Sequence, residues 1–238
     1  MRQASRWRRP HPVWSNSPQM AGPPLALKGI VKRWPGVPRV LEGVDLLLEP
    51  GSAMAIVGRN GTGKTTLLRI AAGLIAPEEG SVSICGLDSE RHRTEFQRRT
   101  GFVSAGNTGL YARLKVRHHL DMWAKLALLP RAARTAAIER VAHDFALEAL
   151  LGRRVDRMSM GQRQRLRLAL AFLHDPTDVL LDEPATSHDD EGVAILGDAL
   201  GTLKERGGAA IVCVPGHWEQ IPALDAGFAL SEGRLAPA

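Results

Sequence analysis

The segment from Gly58 to Thr66 has the residue types and spacing of a phosphate-binding loop. It follows an apolar run and fits the pattern G-x-x-x-x-G-K-[ST] with Gly58, Arg59, Asn60, Gly61, Thr62, Gly63, Lys64, Thr65 and Thr66. Glycines let backbone N–H groups turn inward around an anion, and the N-terminus of the helix predicted over 66–73 adds partial positive charge. In such a loop Lys64 reaches the β- and γ-phosphates, and the Thr65 hydroxyl ligates Mg²⁺. The motif predicts a binding site for a nucleoside triphosphate.

A second segment ends a predicted buried strand in two carboxylates. The apolar run 179–181 is followed directly by Asp182, Glu183 and Pro184. Ligands of open α/β sheets bind at the carboxyl ends of the strands, so both side chains are expected near the phosphates. Asp182 can hold Mg²⁺ directly or through water, and Glu183 can polarise an attacking water as general base. The structural alternative is a solvated strand end without function.

Just upstream of this strand, Ser159 opens a predicted helix. The sequence from Arg157 to Arg165 contains Ser159-Met160-Gly161-Gln162, and leucines recur behind it at helical spacing. A serine followed three residues later by a glutamine is also an ordinary capping box. From the residues alone, a binding role and a purely structural cap both remain open.

The rest of the chain predicts an α/β architecture. Short apolar runs at 25–30, 44–48, 52–57, 82–85, 209–214 and 226–230 indicate strands, with turns expected at Pro35-Gly36, Pro50-Gly51 and Glu79-Gly80. The uninterrupted runs favour strands buried on both faces of a parallel sheet. Residues 112–150 show long helical patterns rich in Leu, Ala and Arg, and no internal repeat is present.

Charge and cysteine content narrow the function classes. The net charge is +6, but eight basic residues and no acidic residue precede Glu42. Removing these eight from the 31 basic residues leaves 23 basic residues against 25 acidic ones. The basicity therefore belongs to the N-terminal region and argues against a nucleic-acid partner for the body. Cys85 and Cys213 lie in apolar runs, as expected for buried thiols in a reducing compartment. No apolar run approaches the ~18 residues of a membrane span.

Taken in order, these motifs resemble the nucleotide-binding subunit of an ABC transporter. The likeness covers residues 25–235 and rests on the phosphate loop, the Ser-x-Gly-Gln signature and the Asp-Glu-Pro strand end. It implies the P-loop NTPase fold of the ABC type, with a mainly parallel core sheet, an antiparallel β-subdomain and an inserted helical subdomain at about 101–176. Residues 1–24 are expected to form a basic disordered arm, and 25–238 the ATPase domain.

The resemblance also assigns roles to individual residues. Trp34 stands where the family places an aromatic side chain that stacks on adenine, and His217 matches the switch histidine that touches the γ-phosphate. Ser159, Gly161 and Gln162 match the signature that contacts ATP held by the opposite subunit. Residues 186–189 match the loop that crosses the dimer interface.

The sequence departs from the family pattern at two places. Met160 replaces the first glycine of the signature, so its side chain must point away from the phosphate. No glutamine occurs near 101–105, where the family has a residue that contacts Mg²⁺ and water. Asn107 is the nearest carboxamide and the candidate replacement.

The resemblance implies an ATP-hydrolysing subunit that uses ATP and Mg²⁺ and powers a separately encoded membrane permease. Such a subunit is cytoplasmic, lies on the inner face of the membrane through its permease, and works as a homodimer or a heterodimer with another ABC ATPase. Residues 109–114 resemble export-type subunits, including the type-2 and haem-exporter branches. The alternative is a soluble ABC-type ATPase that acts on a protein assembly or nucleic acid without a permease.

Overall fold

The structure is a computed structural model that describes residues 23–36, 39–106, 109–184 and 190–238. The predicted arm, apart from its last two residues, lies outside the described residues. The same holds for Asn107 and for the predicted interface loop at 186–189.

Strands and helices alternate along most of the chain. In chain order they are β1 (Leu25–Lys32), β2 (Leu41–Leu48), β3 (Ala53–Val57), α1 (Lys64–Ala71), β4 (Glu79–Ile84), β5 (Leu87–Asp88), α2 (Arg93–Arg99), β6 (Thr100–Val103), α3 (Val116–Leu126), α4 (Arg131–Asp144), α5 (Met160–Phe172), β7 (Asp178–Asp182), α6 (Asp190–Glu205), β8 (Ala209–Val214), β9 (Ala226–Ser231) and β10 (Arg234–Pro237). Short 3₁₀ turns occupy 148–150, 155–157 and 218–220.

Six strands form the core sheet in the order β10-β9-β3-β8-β7-β6. Its members pair in parallel except at β10, which runs antiparallel along the edge. Every residue of β7 and β8 is buried, as the uninterrupted apolar runs predict for strands covered on both faces. The predicted mainly parallel core sheet is confirmed.

The register of the central strands sets the position of the site. Val57 pairs with Val214, and Asp182 pairs with Cys213, so β3, β7 and β8 end at the same edge of the sheet. The phosphate loop, the Asp182-Glu183 pair and the segment carrying His217 therefore leave the sheet side by side.

A second, antiparallel sheet covers one face of the core sheet. Its order is β2-β1-β4-β5, and its apolar side chains join those of α1 and of the core sheet in one buried cluster. The helices α3 to α6 cover the other face and share a second cluster with it. The predicted antiparallel β-subdomain and helical insertion are thus both present.

Local details differ from the sequence-based expectations. Helix α1 begins at Lys64, two residues before the predicted start, because left-handed Gly63 (φ 104°) already turns the chain into the helix. The helical pattern at 112–150 is broken by Leu128 (φ 57°) and Pro130, which lacks the N–H that a continuous helix needs. The turn expected at Glu79-Gly80 is wrong, because both residues lie in β4.

Two further expectations concern the cysteines and membrane-spanning helices. Cys85 and Cys213 are both buried, and they do not form a disulfide with each other. Among the described residues, no helix combines the length and the apolar character that crossing a membrane requires.

Candidate functional site

Two glycines of the phosphate loop lie where a neighbouring segment leaves no room for a side chain. A Cβ at Gly58 (φ 156°) would lie 2.7 Å from the carbonyl oxygen of Leu230. A Cβ at Gly63 (φ 104°) would lie 2.8 Å from Cγ1 of Val40. By contrast, Gly61 (φ 86°) is exposed and has nothing within 4 Å of that position. Neighbouring segments thus restrict both ends of the loop, whereas its middle is open to solvent, where a phosphate needs access.

Lys64 lies inside the loop rather than on its surface. Its side chain is 5% exposed, and Nζ donates to the carbonyl oxygens of Gly58 (2.6 Å) and Arg59 (3.1 Å). The Thr62 hydroxyl donates to the same Arg59 oxygen at 3.0 Å. These backbone carbonyl oxygens therefore hold the ammonium group, with its positive charge, at the N-terminus of α1.

The phosphate loop and the end of β7 meet through one hydrogen bond. The Thr65 hydroxyl donates to Oδ2 of Asp182 at 2.7 Å. Asp182 is 1% exposed, and its Oδ1 is a buried oxygen without a hydrogen-bond partner among the described residues. An oxygen-only pair with a spare buried carboxylate oxygen suits Mg²⁺, which takes one or two protein oxygens and completes its shell with phosphates and water. These residues fit the ion that the sequence predicts.

Glu183 follows Asp182 in a backbone conformation that is unusual for a residue with a side chain. Its φ is 49°, in the left-handed region, and its N–H donates to the carbonyl oxygen of Cys213 at 2.9 Å. The carbonyl oxygen of the next residue, Pro184, accepts from Nε2 of Gln164. The chain thus turns sharply at the carboxylate and is held on both sides of it.

At the start of α5, Ser159 forms the complete capping box. Its hydroxyl accepts from the Gln162 N–H at 3.2 Å, and its own N–H donates to Oε1 of Gln162 at 3.0 Å. The hydroxyl hydrogen remains able to donate to an anion, so a structural cap and a binding role are compatible. Gly161 lies in the first turn, and Met160 is 53% exposed.

The remaining predicted residues lie at the margin of the site. His217 (φ 53°) is exposed and stands three residues beyond β8, at the edge where the phosphate loop leaves the sheet. Trp34 follows β1 and is 42% exposed, with Nζ of Lys32 4.9 Å from the centre of its ring. Val40, six residues further along the chain, lies against Gly63.

Two side chains next to the site do not belong to any motif. Gln164 and Arg167 lie buried on α5, and Nη1 of Arg167 donates to Oε1 of Gln164 at 3.1 Å. Arg167 also donates through Nη2 to the carbonyl oxygen of Ser104, just beyond β6. Burial lowers the pKa of Arg167, while the nearby charge of Asp182 raises it. The only sequence signal for this pair is two polar residues one helical turn apart on a face that is otherwise apolar.

Beside Arg167 the structure contains an apolar groove, which we call the α3–α5 groove. Its volume is about 460 Å³, and its lining includes Phe102, Trp123, Leu126, Leu128, Arg167 and Leu170. Leu126 and Leu128 are both largely exposed. The groove therefore presents apolar side chains to solvent, and the buried Arg167 is part of its lining.

Comparison with known proteins agrees with this geometry. The family model described as ABC transporter matches residues 41–186. The ABC transporter ATP-binding protein NatA of Bacillus subtilis is 35% identical over 71% of this chain and 68% of its own length. The daunorubicin resistance ATP-binding protein DrrA3 of Streptomyces coeruleorubidus is 29% identical over 90% of this chain and 69% of its own. The dimeric structure of MJ0796, a bacterial ABC transporter cassette, superposes with a TM-score of 0.79 at 22% identity, over 89% of this chain and 96% of that one.

A core sheet with a phosphate loop, a covering antiparallel sheet and a helical insertion defines an ATP-binding cassette. The chain belongs to the ABC transporter family, and it is an ATP-binding protein of that family.

Proposed function

We propose that this chain hydrolyses ATP with Mg²⁺ and drives a separately encoded membrane permease, in the direction of export. The observation that carries the proposal is the 2.7 Å hydrogen bond between Thr65 and the buried Asp182, with Glu183 next in the chain. This contact joins the phosphate loop to the carboxylates and leaves one carboxylate oxygen to bind an ion.

The side chains divide the reaction between them. The backbone N–H groups of 58–66 and the ammonium of Lys64 bind the β- and γ-phosphates, and Trp34 stacks on the adenine. Thr65 and Asp182 hold Mg²⁺, which neutralises charge on the phosphate oxygens when it is bound. Glu183 accepts a proton from the attacking water, and His217 contacts the γ-phosphate.

In this proposal, a second cassette completes the ATP-binding site. Ser159 and Gly161 lie at the N-terminus of α5, whose partial positive charge suits the γ-phosphate of an ATP bound by the partner. Ser159 is exposed, as a residue at such an interface must be in the isolated chain. A twofold pairing completes two sites at once, either with a second copy or with a related subunit.

The permease is proposed to dock at the α3–α5 groove and to hold the chain at the inner face of the membrane. Within the helical segment 112–150, α3 and Leu128 supply the exposed apolar rim of this groove, whereas α4 does not line it. A short amphipathic helix of the permease would bury Leu126 and Leu128 there. Export is supported by the drug-resistance description of DrrA3.

The variant Glu183→Gln tests the proposal. The carboxamide keeps the size of the side chain but cannot accept a proton, so ATP should still bind with Mg²⁺ while turnover falls at least about 100-fold, the lower end of general-base effects. Removing a negative charge near the γ-phosphate also favours the ATP-bound dimer. Size-exclusion chromatography with and without ATP and a phosphate-release assay measure the two effects.

Glu205→Gln, at the exposed end of α6, is the matched control and should behave as wild type. Wild-type turnover in Glu183→Gln would remove Glu183 from its proposed role. A chain that stays monomeric with ATP would show that the pairing requires a different cassette or that Met160 disables the signature.

A further inference from the structure

The carbonyl group of Pro184, the residue after Glu183, is held by a chain of side-chain hydrogen bonds that begins at the groove. Arg167 donates to the carbonyl oxygen of Ser104 and to Oε1 of Gln164, and Gln164 donates to the carbonyl oxygen of Pro184. Both side chains are buried, Arg167 being 4% exposed. The amide of Gln164 therefore joins Arg167 to the residue that follows Glu183.

Glu183 needs such support because of its backbone conformation. A left-handed φ of 49° is unfavourable for a residue with a Cβ and persists only where the surroundings hold it. On one side, the Glu183 N–H is bound to Cys213 in the sheet. On the other side, Gln164 fixes the Pro184 carbonyl, and Arg167 in turn fixes the amide of Gln164.

We propose that Gln164 and Arg167 are positioning residues that hold the carboxylate of Glu183 in place for the attack of water on ATP. This inference rests on the proposed role of Glu183 as general base. None of the hydrogen bonds of Gln164 and Arg167 within the described residues reaches the phosphate loop. The two residues therefore act on the hydrolysis step and leave ATP binding unchanged.

The placement of Arg167 also connects this role with the groove. Arg167 lines the α3–α5 groove, and its guanidinium donates to Ser104 and Gln164. A docked side chain that draws the guanidinium away from Gln164 would release the Pro184 carbonyl. Occupancy of the groove thereby sets how firmly Glu183 is held.

Arg167→Met and Gln164→Leu test the proposal by steady-state kinetics. The expected result is a fall in kcat of at least about 10-fold, which corresponds to 1.36 kcal/mol, with KM for ATP unchanged within about 2-fold. The double variant should be no slower than the slower single variant, because both residues act through the same link. Gln164→Glu keeps the acceptor for Arg167, adds a negative charge and replaces the donor to Pro184 by a second acceptor oxygen. It therefore tests the hydrogen bond to Pro184 with little change in side-chain volume, even if Arg167→Met and Gln164→Leu unfold.

Arg140→Met is the matched control. Arg140 lies on α4 and is partly buried, and its guanidinium donates to the carbonyl oxygens of Phe172 and Leu173 at the opposite end of α5. This variant removes an arginine that is hydrogen-bonded to the same helix, and its kcat should stay at the wild-type value. An equal loss of kcat in Arg140→Met would overturn the proposal, because general loosening of α5 would then explain the effect.

Hydrogen exchange at the Glu183 amide provides a readout that does not depend on turnover. Exchange should accelerate at least about 10-fold in Arg167→Met and in Gln164→Glu, since local opening becomes easier. It should not change in Arg140→Met. Wild-type protection and wild-type kcat in Arg167→Met would overturn the proposal. A wild-type chain that binds ATP without hydrolysing it would instead contradict the proposed function, while the exchange data still decide whether the two residues hold Glu183.

Discussion

Lys64 is a buried cation whose neighbours are carbonyl oxygens rather than a carboxylate. Its two hydrogen bonds go to Gly58 and Arg59, and no ion pair of Lys64 occurs within the described part of the chain. Dipoles compensate a buried charge less completely than a counter-ion does. An anionic phosphate at the N-terminus of α1 therefore gains both the ammonium and the helix end.

Replacing Lys64 by Ala should weaken ATP binding at least about 10-fold, because a hydrogen bond to a charged group is worth about 1.5–3 kcal/mol. Isothermal titration calorimetry with ATP measures the change. Lys125→Ala is the control, since Lys125 is exposed on α3 and paired with Asp121. Equal affinities of Lys64→Ala and wild type would contradict the assignment of the phosphate loop.

Asp178 is a second buried acid, and it takes no part in the proposed reaction. It is the first residue of β7, at the end of the strand opposite to Asp182. Burial raises the pKa of Asp178 to about 8, with partial opposition from the Ala209 N–H and the charge of Arg99. Between pH 4 and 8 the folded chain therefore binds more protons at this position than the unfolded chain does. Its contribution to stability falls as pH rises through this window.

Asp178→Asn should remove this dependence. Relative to wild type, the variant should gain about 1–3 kcal/mol in free energy of unfolding between pH 5 and pH 7.5, taking 1.36 kcal/mol per pH unit as the upper limit. Urea unfolding at the two pH values measures the difference. Asp198→Asn, at an exposed position of α6, should show no such gain. A constant difference between wild type and Asp178→Asn at both pH values would refute the assignment.

At the scale of elements, α5 does the most to assemble the site. Its N-terminus carries Ser159, its middle carries Gln164 and Arg167, and its last carbonyl groups accept from Arg140. The same helix packs against β6, beside the segment where the family glutamine is missing. A shift of α5 would therefore move Ser159 of the signature together with Gln164 and Arg167, which are proposed to hold Glu183.

Two substitutions at Ser159 separate its cap from its proposed contact with phosphate. Ser159→Ala removes the acceptor for the Gln162 N–H and should cost about 0.5–2 kcal/mol of stability. Ser159→Asp keeps an acceptor at the N-cap and should fold as stably as wild type, but its carboxylate repels the γ-phosphate. In a Glu183→Gln background, Ser159→Asp should therefore abolish the ATP-dependent dimer, as followed by chromatography and thermal unfolding. Dimerisation of Ser159→Asp with ATP would exclude the proposed contact.

At the scale of the whole molecule, the chain combines an ATP site and an apolar groove. The ATP site forms where the central strands end, whereas the groove opens between α2, α3 and α5. Arg167 is the residue that both regions share. This arrangement suits the proposed coupling between ATP hydrolysis and a docked permease.

A photo-crosslinking amino acid at Leu126 tests the docking proposal in intact cells. The expected product is a covalent adduct with an integral-membrane protein, because Leu126 lies on the exposed rim of the groove. The same amino acid at Glu139, exposed on α4 within the segment 112–150 but outside the groove, should give no such adduct. Adducts at Glu139 alone would move the docking surface to α4.

The sequence by itself determined the features whose signals are contiguous along the chain. The phosphate loop, the strand that ends at Asp182 and the capped start of α5 were predicted because turn, strand and cap chemistry act between neighbours in sequence. Alternating strands and helices likewise predicted the α/β class, and the structure confirms it. The roles of Trp34 and His217 remain predictions.

Only the tertiary structure decided how these pieces meet. Thr65 and Asp182 lie 117 positions apart, and Arg167 and Ser104 lie 63 positions apart, so no local pattern announces their hydrogen bonds. Gly58 must be glycine because the Leu230 carbonyl approaches it across the sheet. The α3–α5 groove is lined by residues from α2, α3 and α5, so it forms only when these separate helices pack together. Such contacts depend on the order of strands in the sheet and on the packing of side chains from distant segments, which the chain acquires only when it folds.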